Sequence, residues 1–178
     1  MPNWCACELI AEGTETDVTA FVDGFRAAFA SPGNYETVSA MIHCDEDGAR
    51  HVAAVQTPFA CTANEFSVTP DGKQRINCLF EPEYDVSDNH ANIQFTSKWR
   101  LPWEEADLVR MSAAFPALKI IIRYAEQGLG FVGSYTLQYG AVQQWERRSV
   151  RDDERLETDD DYENHYQGEY AELLAKSG

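Results

Sequence analysis

Basic side chains are scarce in this chain of 178 residues. It has 14 lysines and arginines against 30 aspartates and glutamates, which gives a formal net charge of −16 at pH 7. Residues 1–89 carry a net charge of −11 and residues 152–178 carry −8, whereas residues 90–151 carry +3. Because negative charge repels a phosphate backbone, the two flanks are poor candidates for direct contact with nucleic acid. The acidic flanks are explained by solubility alone or by attraction of a basic protein partner.

Long apolar runs are absent as well. No stretch reaches the roughly 18 apolar residues that a membrane-spanning helix needs, and the start MPNWCACELI lacks the basic segment of a signal peptide. The cysteines are odd in number and irregularly spaced, at Cys5, Cys7, Cys44, Cys61 and Cys78. Such a set indicates reduced, buried thiols rather than a disulfide framework. We therefore expect a soluble, cytoplasmic protein.

A strand followed by a helix is predicted near the start of the chain. Residues 5–12 are typical of a short strand, and Thr14 with Asp17 resembles a capping box at the start of a helix. Apolar residues then recur at helical spacing, at Val18, Phe21, Val22, Phe25 and Phe29. This face must pack against a sheet or a second helix.

Residues 35–89 show a weaker pattern. A short strand is expected near Val52, and residues 65–80 alternate around Asp71-Gly72, which is a favoured hairpin turn. Residues 81–89 look like an exposed, acidic connection.

Residues 92–139 predict the order β-α-β-β. A strand alternates up to Trp99, a helix begins near Pro102 and stops before Pro116, and two further strands follow. Between those two strands, Gly128, Gly130 and Gly133 spell the G-x-G-x-x-G dinucleotide fingerprint. A phosphate site needs a helix directly after the glycines, but alternation with period two follows them. We therefore interpret Gly128 and Gly130 as a turn, and Gly133 as a bulge or close packing point.

The C-terminal part is acidic. Residues 143–148 continue the sheet or form a loop, and tyrosines at helical spacing predict a helix over about 162–176.

One block of the chain resembles a known family. The segment FTSKWRLPWEEADLVRMSAAFPALKIIIRYAEQGLGFVGSY (residues 95–135), together with the start MPNWC, resembles the YubB-like or Api-ninety-two-like proteins of phages and plasmids. The matching positions are Ser97, Lys98, Trp99, Pro102, Phe115, Pro116, Tyr124, Glu126, Gly128, Phe131 and Gly133. The resemblance implies a ferredoxin-like α+β domain and a mobile-element origin, but it implies no activity.

The expected fold class is therefore α+β. We expect a ferredoxin-like antiparallel sheet with helices on one face, an inserted hairpin and a C-terminal helix. The domain would span residues 1–142 with an insertion at about 31–91, and residues 143–178 would form an acidic extension.

Metal ligation and catalysis are the competing interpretations of several residues. Cys5-x-Cys7 lacks the second pair that a zinc site usually has, so buried packing is favoured. The acidic tract after His43 is expected to be a turn between two strands rather than a cation site. Glu126 would act as a general acid or base if buried, although a rim carboxylate, or a salt bridge to Lys98 or Arg123, is favoured. No metal or cofactor is predicted.

These observations favour a non-enzymatic interaction protein, acting in the cytoplasm of the host cell. It would be an inhibitor or DNA mimic that binds a basic host protein, such as a nucleic-acid-binding defence protein. The candidate interaction residues are Asp45, Glu46, Asp47, Asp152, Asp153, Glu154, Glu157, Asp159, Asp160, Asp161 and Glu163. The alternatives are a small metal-dependent or Cys/His enzyme and a structural assembly subunit.

Overall fold

The fold is α+β, with a six-stranded antiparallel sheet and two helices. The computed structural model describes residues 4–28, 38–39, 42–44, 50–52, 57–60, 66–68, 74–76, 81–98, 100–126 and 130–149. The elements in chain order are β1 (Trp4–Glu12), α1 (Glu15–Ala28), β2 (Val38–Ser39), β3 (Ile42–Cys44), β4 (Arg50–Val52), β5 (Phe66–Val68), β6 (Gln74–Ile76), β7 (Glu83–Ser87), β8 (His90–Lys98), α2 (Glu105–Ala114), β9 (Lys119–Glu126), β10 (Phe131–Gln138) and β11 (Ala141–Ser149).

The main sheet has the strand order β11-β10-β9-β1-β8-β7. β1 is central, since it pairs antiparallel with β8 on one side and with β9 on the other. Alternate residues of these strands join both helices in a single buried cluster, so α1 and α2 pack on the same face, which we call the helix face. The predicted first strand, first helix and β-α-β-β order of residues 92–139 are confirmed.

The start of α1 follows directly from its sequence. The backbone N–H of Asp17 donates to the hydroxyl of Thr14 at 3.3 Å, and that hydroxyl donates to the Asp17 carboxylate at 2.6 Å. These bonds satisfy one of the free N–H groups of the first turn. The predicted stripe is buried from Val18 to Phe25, and Phe29 lies outside the described residues.

A short piece of the predicted insertion reaches the core. Phe59 is fully buried, and its ring lies 5.1 Å from that of Phe21, 5.5 Å from that of Phe25 and 5.6 Å from that of Phe115. Trp103 on the sheet-to-helix connection donates its indole N–H to the Phe59 carbonyl at 3.0 Å. Phe59 therefore belongs to the hydrophobic core, beside α1 and the C-terminal end of α2.

The prediction for residues 81–89 is wrong in one respect. They are exposed and acidic as expected, but residues 83–87 form β7, the edge strand beside β8. The backbone pairs with β8 because Tyr84 and Val86 alternate toward the helix face, where Tyr84 packs against the core.

Residues 143–148 continue the sheet rather than forming a loop. They belong to β11, which follows β10 through a turn in which Tyr139 and Gly140 both have positive φ, at 55° and 72°. This is the backbone of the turns that best match the twist of a hairpin. A register shift between Thr136 and Leu137 leaves Gln143 opposite no residue of β10.

The smaller pairings lie between α1 and β7 in the chain. β5 pairs antiparallel with β6, which confirms the predicted hairpin strands, and β2 joins the same small sheet. β3 pairs with β4, so the acidic tract 45–47 lies between two paired strands, as predicted. Asp45, Glu46 and Asp47 themselves lie outside the described residues, as do all the candidate acids from Asp152 to Glu163.

Within the described part of the chain, no helix is long and apolar enough to cross a membrane.

Candidate functional site

Four of the residues that carry the resemblance meet at one end of the β9–β10 hairpin. Phe131 is the cross-strand partner of Glu126, and Gly133 is the partner of Tyr124. All four positions belong to the helix face. Because β10 is a strand, the G-x-G-x-x-G spacing marks a hairpin and not a phosphate loop. Gly130 has φ of 70°, as a tight connection requires, and Gly128 lies outside the described residues.

Three aromatic rings continue from this point to the edge of the sheet. The ring of Tyr124 stacks on that of Tyr135, with centroids 6.1 Å apart and planes at 28°. Tyr135 stacks in turn on Trp145 of β11, at 6.2 Å and 30°. We call Tyr124, Tyr135 and Trp145 the aromatic ladder. Its outer end is open to solvent, since Trp145 is 55 % exposed.

Gly133 makes the inner end of the ladder possible. A β-carbon at this position would overlap the hydroxyl group and ring of Tyr124 and would lie 2.7 Å from the Glu146 carbonyl oxygen. The predicted close packing point is therefore confirmed. Only glycine lets the phenol ring lie flat across β10 toward β11.

Burial changes the acidity of the ladder tyrosines. It raises the pKa of Tyr124 above its usual value, and a hydrogen bond with the Trp145 side chain acts in the opposite direction. Burial also raises the pKa of Tyr135, assisted by the negative charge of Glu105. Both phenols thus stay neutral and act as packing and hydrogen-bonding groups at ordinary pH.

Sequence reasoning missed the β11 side of this site. The guanidinium of Arg147 lies 4.4 Å above the ring of Phe131, and Trp145 ends the ladder. The signal was present in Trp145 and Arg147, two residues apart like neighbours on one strand face. The signal could not be interpreted, because the sequence does not decide whether residues 143–148 form a strand or a loop.

A buried polar cluster adjoins the motif residues on β1 and β8. The sulfur of Cys7 lies 4.0 Å from that of Cys5 and 3.6 Å from the hydroxyl of Ser97. Ser97 donates to the carbonyl of Arg100, which holds the chain as it leaves β8. Glu126 is the cross-strand partner of Cys5. The cluster therefore joins the N-terminal strand to Ser97 and Glu126, two of the residues that carry the resemblance.

The cluster is enclosed rather than open to a substrate. Burial raises the pKa of the Cys5 thiol well above its usual value, and the negative charge of Glu126 acts in the same direction. A thiol kept protonated in this way is a poor nucleophile and a poor metal ligand. Glu126 is 0 % exposed, so it does not occupy the exposed rim that was expected for it. Searching the described residues finds no group of three or more His, Cys, Asp or Glu side chains arranged to hold a metal ion.

The other motif residues lie around this core. Pro102 is buried between Leu101 and Trp103, next to the start of α2. Lys98 is the backbone partner of Trp4 at the end of β1, and Trp99 lies outside the described residues.

The opposite face of the sheet carries a charged network. The Glu8 carboxylate accepts from the Asn92 amide at 2.6 Å and from the Arg123 guanidinium at 3.2 Å. Arg123 thus pairs with Glu8, and it lies on the face opposite to Glu126. This buried carboxylate is neutralised inside the fold and adds nothing to an external acidic surface.

Exposed carboxylates are concentrated at β7. Glu81, Glu83, Asp85 and Asp88 are all exposed, and residues 81–89 contain no basic side chain. We call these four residues the acidic edge. They lie at the opposite edge of the sheet from Arg147 and Arg148, which are exposed on β11.

Comparison of the chain with protein-family models, with curated proteins and with solved structures finds no match in any of the three.

Proposed function

We propose that this chain is an acidic interaction protein that binds a basic, nucleic-acid-binding protein and does not catalyse a reaction. The observation that carries the proposal is the acidic edge, where four exposed carboxylates follow one another within eight residues. Buried carboxylates elsewhere have their own structural neighbours: Glu8 is paired with Arg123, and Asp107 accepts from Arg110 at 2.9 Å. The carboxylates of the acidic edge differ from these in being exposed to solvent, where a basic surface can approach them.

The acidic edge has less charge per unit length than a DNA strand has along its axis, which favours electrostatic docking over copying of DNA. Alternate residues of a strand lie about 7 Å apart, since a strand rises about 3.4 Å per residue. Phosphates follow at about 3.4 Å of axial rise along each DNA strand. The edge thus has about half the linear charge density of one DNA strand, so a mimic would also need the acids 45–47 and 152–163.

We further propose that the strands β1, β7, β8 and β9 and the two helices form a ferredoxin-like fold, as the resemblance implies. The chain order β1-α1-β7-β8-α2-β9 and the sheet order β9-β1-β8-β7 support this, because the two strand-helix-strand units interleave in one antiparallel sheet. β10 and β11 would then be an extension beyond β9. The same resemblance to phage and plasmid proteins motivates a defence protein of the host cell as the partner.

The test compares two variants with the same change in charge. The edge variant carries Glu81→Gln, Glu83→Gln, Asp85→Asn and Asp88→Asn. The matched control carries Glu15→Gln, Asp23→Asn, Glu105→Gln and Glu146→Gln, four exposed carboxylates outside the acidic edge. Each immobilised protein is exposed to host-cell extract in 50 mM salt, and bound proteins are then released with duplex DNA and identified.

We expect the wild-type chain and the control to retain nucleic-acid-binding proteins that DNA releases, and the edge variant to lose most of them. Retention should fall steeply between 50 and 200 mM salt, because charge attraction is screened. Equal retention of these proteins by both variants would show that the acidic edge is not the surface that binds them. If DNA released no nucleic-acid-binding protein, the proposal itself would fail.

A further inference from the structure

A row of apolar residues is buried on the face of the main sheet opposite to the helix face, which we call the back face. Ala6, Ala125 and Val132 are cross-strand partners on β1, β9 and β10, and their exposed fractions are 6 %, 1 % and 1 %. None of the three belongs to the buried cluster that the two helices share with the sheet. We call these three residues the back-face row.

The strand residues around the back-face row do not account for its burial. Side chains stand roughly perpendicular to a sheet, so the adjacent row of Glu8, Arg123 and Ser134 lies beside these residues and not above them. Both described helices pack on the helix face. The burial therefore indicates a further layer of protein on the back face.

We propose that the C-terminal segment, residues 150–178, supplies this layer by packing its tyrosines on the back-face row. The segment lies outside the described residues, but the point at which it starts is fixed by β11. Arg148 is the cross-strand partner of Val132, and Ser149 is the partner of Phe131. The chain therefore leaves the sheet directly beside the row.

The sequence of the segment suits this position. Tyr162, Tyr166 and Tyr170 recur every four residues, so they share one face of the helix expected over about 162–176. A helix of that length measures about 22 Å, whereas the row crosses three strands and so spans about 10 Å. Residues 150–161 reach up to about 40 Å when extended, which allows the helix to lie across the row.

Size and charge also match. Ala6 and Ala125 have small side chains, so the sheet surface above them is shallow, and tyrosine rings are large enough to fill it while their hydroxyl groups reach a polar neighbour. Residues 90–151, which supply β8 to β11, carry a net charge of +3, whereas residues 152–178 carry −8. Net charge therefore favours the contact.

Other stretches of the chain fit the back face less well. The insertion between α1 and β7 is anchored on the helix face by Phe59, and it joins the sheet at β7, which β8 and β1 separate from Ala125. Residues 127–129 adjoin the row, but three residues are too few to cover three strands. The proposal does not involve the acidic edge, so it stands or fails independently of the proposed function.

Nuclear Overhauser contacts measured on the full chain test the proposal directly. With alanine and valine methyl groups isotope-labelled, we expect contacts from Ala6, Ala125 and Val132 to the ring protons of tyrosines in the segment 162–170. Contacts to residues 29–80 in their place, or no contact to these tyrosines, would overturn the inference. A mixture of labelled and unlabelled chains identifies contacts between copies, and tyrosine contacts that arise only between copies would overturn it as well.

A pair of uncharged substitutions tests whether the tyrosine face contributes to stability. Tyr166→Ala should raise the equilibrium constant for unfolding by about tenfold or more, because it removes a ring that is buried against the sheet. Asn164→Ala is the matched control, since position 164 lies on the opposite side of the expected helix, and it should change the constant by about twofold or less. Urea denaturation of the full chain measures both. Equal effects of the two substitutions would overturn the inference.

Discussion

The two edges of the main sheet differ in length, charge and support. β7 has five residues, with two carboxylates of the acidic edge on it and the other two beside it, and its Tyr84 ring lies 6.2 Å from that of Phe25 in the apolar cluster. β11 has nine residues and a positive local charge, and it rests on the partly polar aromatic ladder. One edge is thus short and repels another acidic chain, whereas the other is long and lacks that repulsion. The contrast is the reason that we propose β7, and not β11, as the edge that attracts a basic protein.

The largest expected effect is on the free energy of unfolding, and it concerns the buried aromatic residues on the β7 side of the sheet. Phe59→Ala should lower the free energy of unfolding by about 3–5 kcal/mol, since it empties a fully buried site among Phe21, Phe25 and Phe115. Urea denaturation measures the loss. Tyr139→Asn is the control, because Tyr139 is 73 % exposed and has the positive φ that asparagine tolerates. A loss below 1 kcal/mol would show that residue 59 does not fill the core.

The next effect concerns the ladder on the β11 side. Gly133→Ala should cost about 1–3 kcal/mol, because the new methyl group overlaps Tyr124 and approaches the Glu146 carbonyl. In the Tyr124→Ala background the same change should cost less, because the phenol ring is gone. A double-mutant cycle measured by denaturation gives the coupling. Additive costs would mean that the ring and Gly133 do not compete for the same space.

Alkaline pH should destabilise the ladder side. The pKa of the Cys5 thiol and those of the Tyr124 and Tyr135 phenols are raised in the folded protein, so the unfolded chain loses its protons first. The stabilisation is complete below the ordinary pKa of each group, about 9 for the thiol and about 10 for the phenols, and is lost as pH rises further. Cys5 contributes at most about 1.4 kcal/mol per pH unit to this slope.

Denaturation between pH 8 and 11 measures this slope, and Cys5→Ala and Tyr124→Phe should each flatten it. Their stability at pH 7 serves as the reference. Parallel profiles for the variants and the wild-type chain would contradict the assignment of the slope to these groups.

The smallest effect tests a feature that both edges share. Arg26 lies 4.5 Å above the Tyr84 ring near β7, and Arg147 lies 4.4 Å above the Phe131 ring near β11. Arg26→Ala and Arg147→Ala should each cost about 0.5–1 kcal/mol, as exposed cation–π contacts do. Lysine at either position measures how much of the contact depends on charge alone. A cost confined to one edge would show that the two contacts are not equivalent.

Patterns of spacing predicted most of the main sheet from the sequence. The stripe from Val18 to Phe25 and the alternation after Phe131 each have one dominant period, which fixes both the element and its buried face. The close packing of Gly133 followed because a glycine inside a strand usually marks such an approach.

The sequence did not predict elements whose structure depends on distant neighbours. Residues 83–87 have two strong strand formers, Tyr84 and Val86, among polar residues, and these alternate toward the core only when the segment pairs with β8. Phe59 has no periodic neighbours, so nothing local identifies it as a core residue. The ladder was missed for the same reason, since Tyr124 and Trp145 meet only through the pairing of three strands.

The position of Phe59 has a consequence for comparing longer or shorter versions of this chain. The Phe59 side chain packs against α1 and the end of α2. A long stretch of chain, here called an arm, lies on either side of it in the sequence. We expect insertions and deletions in those arms to cost little where they fall outside β2 to β6, because loop closure depends only weakly on length. An alignment of such chains should therefore be fixed on the aromatic residue at position 59, and its gaps should be placed in the arms.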